Sequence, residues 1–142
     1  FGLSVEEAAR LADGVPDPAP LSGRCPVILK TDMTHLANKG EDRARILAGL
    51  FDAVCENVQC LIKPGISPSR VLLAGGVSRS KRVRQRFREF LAKHDMALID
   101  ALGDDALFLD ALGCALLAAT HPATAQDKID KPVKILVVGA SG

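Results

Sequence analysis

A short apolar stretch that ends in two glycines and leads into a helical pattern constrains the fold more than any other part of this sequence. Residues 70–74 (RVLLA) are suited to a short buried strand, and Gly75 and Gly76 follow directly. Apolar side chains then recur at helical spacing over residues 80–94, at Val83, Phe87, Phe90 and Leu91. A buried strand, a glycine turn and an amphipathic helix in this order are typical of α/β proteins.

The other segments alternate between helical and extended patterns. A capping-box pattern at Ser4 and Glu7 opens the first predicted helix, and Gly40 is expected to end the second. A strand over residues 27–30 is an open alternative to the start of that second helix. In full, we predict helices over residues 4–11, 26–39, 42–63, 80–94 and 106–120, and strands over residues 70–74, 96–99 and 133–138.

The last predicted helix, residues 106–120, is apolar nearly all round, so we expect it to be buried. We expect residues 1–121 to form one lobe and residues 122–142 to form a linker and a terminal strand without an assigned role. The sequence starts at Phe1 rather than Met and ends in a turn-like pattern. We therefore interpret the chain as a fragment of a longer protein.

Composition and charge exclude several classes of function. The formal net charge is +1, and the aromatic residues are limited to five Phe, which argues against a nucleic-acid-binding surface. The basic stretch over residues 79–93 is interpreted as a solvated helix face. The longest apolar run, residues 106–119, is too short to cross a bilayer, and residues 1–12 do not resemble a signal peptide. We expect a cytoplasmic protein whose four Cys are free thiols or metal ligands.

The turn after the first strand is the clearest candidate binding site. Gly75 and Gly76 allow a sharp turn and leave no side chain in the way of a phosphate or nucleoside. The sequence contains neither a GxGxxG fingerprint nor a phosphate loop ending in GK[ST], so neither of those mechanisms applies. An ordinary strand–turn–helix connection is the alternative interpretation of the two glycines.

The pattern of strand, GGV, SRS and helix, followed by DALGCALLA at residues 110–118, resembles the second, adenosine-binding lobe of the actin, Hsp70 and sugar-kinase ATPases, which have a ribonuclease H-like fold. The resemblance implies that Gly75, Gly76 and Val77 lie against the ribose and α-phosphate of ATP. It also implies that Arg79 stacks on the adenine ring, an interaction of about 0.5–2 kcal/mol. A solvent-facing charge is an equal alternative for Arg79. The acids that hold Mg²⁺ in this superfamily lie mostly in the first lobe, so we assign no catalytic residue.

A narrower resemblance covers residues 23–58, GRCPVILKTDMTHLANKGEDRARILAGLFDAVCENV. This stretch is similar to the activators of 2-hydroxyacyl-CoA dehydratases and to the ATPase subunits of benzoyl-CoA reductase. The resemblance implies that Cys25 ligates a [4Fe–4S] cluster shared with a second ATPase subunit, with the other ligand of this subunit upstream. A thiolate just before Pro26, at a helix start, would also meet unpaired N–H groups. The other thiols, Cys55, Cys60 and Cys114, are interpreted as packing residues.

The resemblance implies an ATP-hydrolysing subunit that drives electrons from ferredoxin into partner reductase subunits, which dearomatise benzoyl-CoA. Its cofactors would be ATP, Mg²⁺ and the shared [4Fe–4S] cluster. Three alternatives stay open: an activator of a 2-hydroxyacyl-CoA dehydratase, a cluster-free sugar or N-acetylglucosamine kinase, and a non-catalytic interaction module.

Overall fold

The computed structural model describes residues 1–21, 25–99, 103–120 and 137–138. Its helices are α1 (Val5–Ala12), α2 (Pro26–Asn38), α3 (Arg43–Gln59), α4 (Lys81–Ala92) and α5 (Leu109–Thr120). Its strands are β1 (Arg70–Leu73), β2 (Ala97–Ile99) and β3 (Val137–Val138), and two 3₁₀ turns cover Gly76–Arg79 and Gly103–Phe108. The strands form a parallel sheet in the order β2-β1-β3, with Arg70 opposite Ala97 and Leu72 opposite Val137.

Local capping starts the first helix where the sequence predicts it. The Glu7 backbone N–H donates to the Ser4 hydroxyl at 3.2 Å, and the Ser4 N–H donates to the Glu7 carboxylate at 2.8 Å. These two bonds satisfy backbone donors that have no partner inside the helix. The predicted capping box is confirmed.

The second helix also agrees with its prediction at both ends. It begins at Pro26, which excludes the alternative of a strand over residues 27–30. At its end the N–H of Gly40 donates to the Ala37 carbonyl and the N–H of Glu41 donates to the Leu36 carbonyl, both at 3.0 Å. With Gly40 at a φ of 82°, this is a Schellman termination that needs glycine for its left-handed backbone.

The third helix is shorter than the pattern over residues 42–63 predicts. It ends at Gln59, and beyond it the N–H groups of Leu61 and Ile62 bond to carbonyls three residues back. The chain therefore tightens into a turn before Pro64. Ile62 is nevertheless buried, so the apolar pattern continues although the helix does not.

The main core lies between the sheet and helices α3 and α4. Strand β1, helix α4 and strand β2 form a parallel crossover unit, and the N–H of Val83 donates to the Ser80 hydroxyl at 3.4 Å where α4 begins. Phe87 is 1% exposed, and burial of a side chain of this size stabilises the fold by about 1.5–3 kcal/mol. The buried residues of this core are Cys55, Ile62, Val71, Leu73, Val83, Phe87, Leu91 and Met96.

A second, smaller cluster joins α1 to α3. It is built from Ala12, Leu47 and Ala48, with Leu3, Ala8, Val15, Met33 and Phe51 packed around it. Small side chains let the two helices approach closely. As a result α1 lies against the domain rather than extending from it.

The prediction of a buried last helix is wrong. Helix α5 starts at Leu109, after a 3₁₀ turn, and contains no buried residue. Leu112, Leu116 and Leu117 are 43%, 57% and 54% exposed. An all-round apolar composition favours burial but provides no surface to pack on, and within the described residues α5 packs mainly on the turn before it.

The remaining predictions concern the end of the chain and the membrane. Residues 121–136 and 139–142 lie outside the described residues, so the predicted linker and most of the strand predicted over residues 133–138 stay predictions. Of that strand, Val137–Val138 is observed beside β1. In the part of the chain that the structure describes, no helix combines the length and apolarity needed to cross a membrane.

Candidate functional site

A cleft of about 440 Å³ lies between α1 and the turn that follows β1. Its volume is within the range of small-molecule sites. One wall comes from α1 and its end, the other from the turn and the start of α4, and Phe51 of α3 lies between them. The lining residues are Val5, Glu6, Ala9, Arg10, Asp13, Phe51, Gly76, Val77, Arg79, Ser80 and Lys81.

Gly75 shapes the turn beside this cleft. Its φ of 78° and ψ of −179° define a conformation that side-chain-bearing residues rarely adopt. Its N–H donates to the Ala106 carbonyl at 2.9 Å, and its own carbonyl accepts from the Ser78 hydroxyl at 2.7 Å. The first predicted glycine therefore acts on the backbone and does not itself line the cleft.

The structure brings the other three predicted residues, Gly76, Val77 and Arg79, together on one cleft wall. A Cβ added at Gly76 would meet no atom within 4 Å, so the protein itself leaves room for a side chain there. Val77 is half-buried and also packs on the main core, while Arg79 is exposed. Contact between these residues and a nucleotide stays a prediction.

Both signs of charge line the cleft. Arg10, Arg79 and Lys81 contribute positive charge, and Glu6 and Asp13 contribute carboxylates. Asp13 is also structural, because its Oδ1 accepts the backbone N–H of Arg82 in the first turn of α4 at 3.2 Å. The sequence analysis did not identify α1 as a wall of the site, because only the tertiary structure brings it there.

A buried ion cluster beneath the cleft was missed by the sequence analysis. The Arg82 side chain is 7% exposed and donates to both Asp52 carboxylate oxygens, through Nε at 2.7 Å and Nη2 at 2.8 Å. Arg86 donates to the same two oxygens, through Nε at 3.0 Å and Nη2 at 2.6 Å. The interpretation of residues 79–93 as a solvated face is therefore wrong for Arg82. The i,i+4 spacing of two Arg on a helix that faces a lone Asp was the available signal.

This cluster changes the ionisation of its neighbours. Burial opposes ionisation of Asp52, but the hydrogen bonds from Arg82 and Arg86 outweigh it and hold the pKa of the carboxyl below its ordinary value. The hydrogen bond to Asp52 in turn raises the pKa of Arg86. Burial, reinforced by the charge of Asp52, raises the pKa of the Cys55 thiol to about 12. Cys55 is therefore a neutral packing residue, as predicted.

Cys25 is exposed and lies directly before α2, where its side chain makes no capping hydrogen bond. It adjoins a groove of about 570 Å³ between α2 and α3, lined by Phe1, Pro26, Leu29, Lys30, Met33, Thr34, Ala37, Asn38, Leu50, Val54 and Asn57. Cys60 and Cys114 are exposed as well, so the prediction that they are packing residues is wrong.

The donor set limits what Cys25 can hold. Within residues 1–21, 25–99, 103–120 and 137–138, no group of three or more His, Cys, Asp or Glu could hold a metal ion. A [4Fe–4S] cluster usually takes four Cys ligands. Cys25 therefore fits such a cluster as one donor to a shared group and does not fit it as a complete site.

Comparison with known proteins relates the chain to one component of an enzyme. The relative is a subunit of the benzoyl-CoA reductase of Thauera aromatica, which is 24% identical over 120 residues. The match covers 84% of this chain and 43% of the relative, so the chain spans less than half the length of that protein. No family model and no solved structure matches the sequence.

Proposed function

We propose that this chain is the nucleotide- and cluster-binding lobe of an ATP-hydrolysing subunit with the actin/Hsp70-like fold. In this proposal the complete protein drives electrons from ferredoxin into partner reductase subunits that dearomatise benzoyl-CoA. The observation that carries it is the cleft beside the Gly75–Gly76 turn, at the carboxyl end of a parallel strand. The similarity to a benzoyl-CoA reductase subunit supports the choice of reaction.

The position and the lining of the cleft support nucleotide binding. Ligands of open α/β sheets bind outside the carboxyl ends of the strands, and β1 ends directly before Gly75 and Gly76. The missing side chain of Gly76 lets a ribose or phosphate approach the backbone, and Arg79 and Lys81 can balance phosphate charge. Mg²⁺ would accompany the phosphates, and we assign it no ligand in this chain.

The surroundings of Cys25 support its role at a shared cluster. The exposed thiol lies before the first turn of α2, whose N–H groups favour a thiolate and any anionic group that it binds. Val27 and Ile28, one turn away, are 72% and 52% exposed, which fits a surface that a second ATPase subunit covers. When bound there, a [4Fe–4S] cluster would supply one-electron transfer to the reductase.

The nucleotide site is tested by adding a side chain to Gly76. We predict that Gly76→Val weakens ADP binding about tenfold, because the valine occupies space that the ribose needs, roughly the loss of one good contact. The folded protein itself has room for the valine, so the melting temperature should change little. Isothermal titration of ADP into the intact protein measures the affinity.

Gly113→Val is the matched control, because Gly113 also faces open space and lies outside the cleft lining. It should leave ADP affinity unchanged. Equal affinity of wild type and Gly76→Val would reject the proposed site. An iron-free protein that binds ADP and phosphorylates a sugar would instead favour the sugar-kinase alternative.

A further inference from the structure

The two walls of the cleft come from distant parts of the sequence and are joined by one residue. Nη1 of Arg82 donates to the backbone carbonyls of Ala12 at 3.1 Å and Val15 at 2.9 Å, at the end of α1. The backbone N–H of Arg82 donates to the Asp13 carboxylate. Arg82 itself belongs to the first turn of α4, so it bridges α1 to the wall that carries Gly76 and Arg79.

The other side of the same guanidinium is held from α3. Asp52 accepts from Nε and Nη2 in a bidentate geometry, which fixes the plane of the group as well as its position. The side chain is 7% exposed, so water competes little for these bonds. Arg82 therefore has one orientation, and that orientation relates α1, α3 and α4.

We propose that Arg82 is a positioning residue for the nucleotide site, on which this inference rests. Arg82 does not line the cleft, so it acts on a ligand through the two walls that it joins. Its bonds set the distance between α1 and the turn of Gly76–Arg79. Loss of the bridge lets α1 move away and reduces the contact that both walls make with one ligand.

Arg86 provides a matched control one helical turn further on. It shares the Asp52 carboxylate with Arg82, and its guanidinium also donates to Glu89 of the same helix. Substitution of either Arg thus disturbs the ion cluster, but it is substitution of Arg82 that breaks the bridge to α1.

The test compares ADP affinity of wild type, Arg82→Lys and Arg86→Lys in the intact protein, well below the melting temperature of each. Lysine keeps the charge but cannot bond to two carboxylate oxygens and two carbonyls together. We expect about tenfold weaker ADP binding for Arg82→Lys, the scale of one charge-assisted hydrogen bond, and less than about twofold for Arg86→Lys. Hydrogen exchange in the ligand-free protein should accelerate over residues 9–13 in Arg82→Lys only.

The outcomes separate this inference from the nucleotide site itself. If wild type binds ADP and Arg82→Lys binds it equally well, or if both Lys variants lose affinity equally, the positioning role is overturned and the site stands. A wild type that binds no ADP overturns both. If Arg82→Lys does not fold, ADP should slow exchange of wild-type α1 and the first turn of α4 together, and protection of one wall alone overturns the role.

Discussion

Gly49 and Gly76 both lie at positions with room in backbone conformation for other residues, yet their surroundings differ completely. Gly76 faces open space in the cleft, whereas a Cβ at Gly49 would lie against the carbonyl oxygen of Ala19, well inside van der Waals contact. That carbonyl belongs to a chain segment held on α3, where the Ala19 N–H donates to the Arg45 carbonyl at 2.9 Å. Gly49 is therefore required by a close approach of two backbones.

Gly49→Ala should destabilise the protein, although alanine favours helix over glycine by about 1 kcal/mol. We expect a net loss of about 1–3 kcal/mol in the free energy of unfolding, because the backbone of residue 19 must move. Urea denaturation followed by circular dichroism measures this change. Gly113→Ala, in a helix with open space around it, should be neutral or stabilising. Unchanged stability of Gly49→Ala would contradict the close approach.

At the scale of elements, one carboxylate joins three helices. Asp52 on α3 pairs with Arg82 and Arg86 on α4, and Arg82 continues the connection to α1. Removal of one partner from a buried pair leaves an uncompensated charge, which costs more than the loss of an exposed pair. The arrangement of the cleft walls depends on this cluster as well as on apolar packing.

Asp52→Asn should lower the free energy of unfolding by about 3 kcal/mol at neutral pH. The pKa of Asp52 is lowered in the folded state, so its stabilisation is present above the ordinary carboxyl pKa of about 3.9 and is lost as the pH falls through the lower folded value. The difference between wild type and Asp52→Asn should therefore shrink below about pH 4. Urea denaturation at several pH values measures it.

Asp17→Asn is the control for this effect. Asp17 pairs with Arg45 at 2.8 Å, but its side chain is 82% exposed, and exposed pairs contribute little. Its substitution should change stability by less than about 1 kcal/mol at any pH. Equal effects of the two substitutions would show that the Asp52 cluster has no special weight.

At the scale of the whole molecule, two apolar surfaces are left uncovered by the described residues. One is α5, where Leu116 and Leu117 are more than half exposed, and the other is the start of α2, where Val27 and Ile28 are exposed beside Cys25. Contiguous exposed apolar surface marks sites of association. The surface at α2 is the place where our proposal requires a second subunit.

Cys25→Ala in the intact protein, purified with its partner without oxygen, should lose the iron and acid-labile sulfide that the wild type carries. One missing thiolate leaves a shared cluster without its full set of four ligands. Cys60→Ala is the control, because Cys60 is also exposed but its thiol bonds within its own helix end, to the Asn57 carbonyl at 3.1 Å. Unchanged iron content in Cys25→Ala would reject this ligand.

Local interactions explain which features could be predicted from the sequence. The capping box at Ser4 and Glu7, the start of α2 at Pro26 and its end at Gly40 each depend on residues within about one helical turn. The turn after β1 belongs to the same group, because the need for glycine at residue 75 arises in the backbone. The positions of helices α1 to α4, of β1 and of the candidate turn were therefore determined by the sequence alone.

Tertiary structure decided the features that depend on residues far apart in the chain. Arg82 is buried because Asp52 and the end of α1 meet it, and neither is near it in sequence. Helix α5 is exposed because no described element packs along it, although its composition alone predicts burial. The second wall of the cleft belongs to α1 for the same reason. Periodicity indicates which face of a helix is apolar, whereas only the packed chain determines what that face and its charges meet.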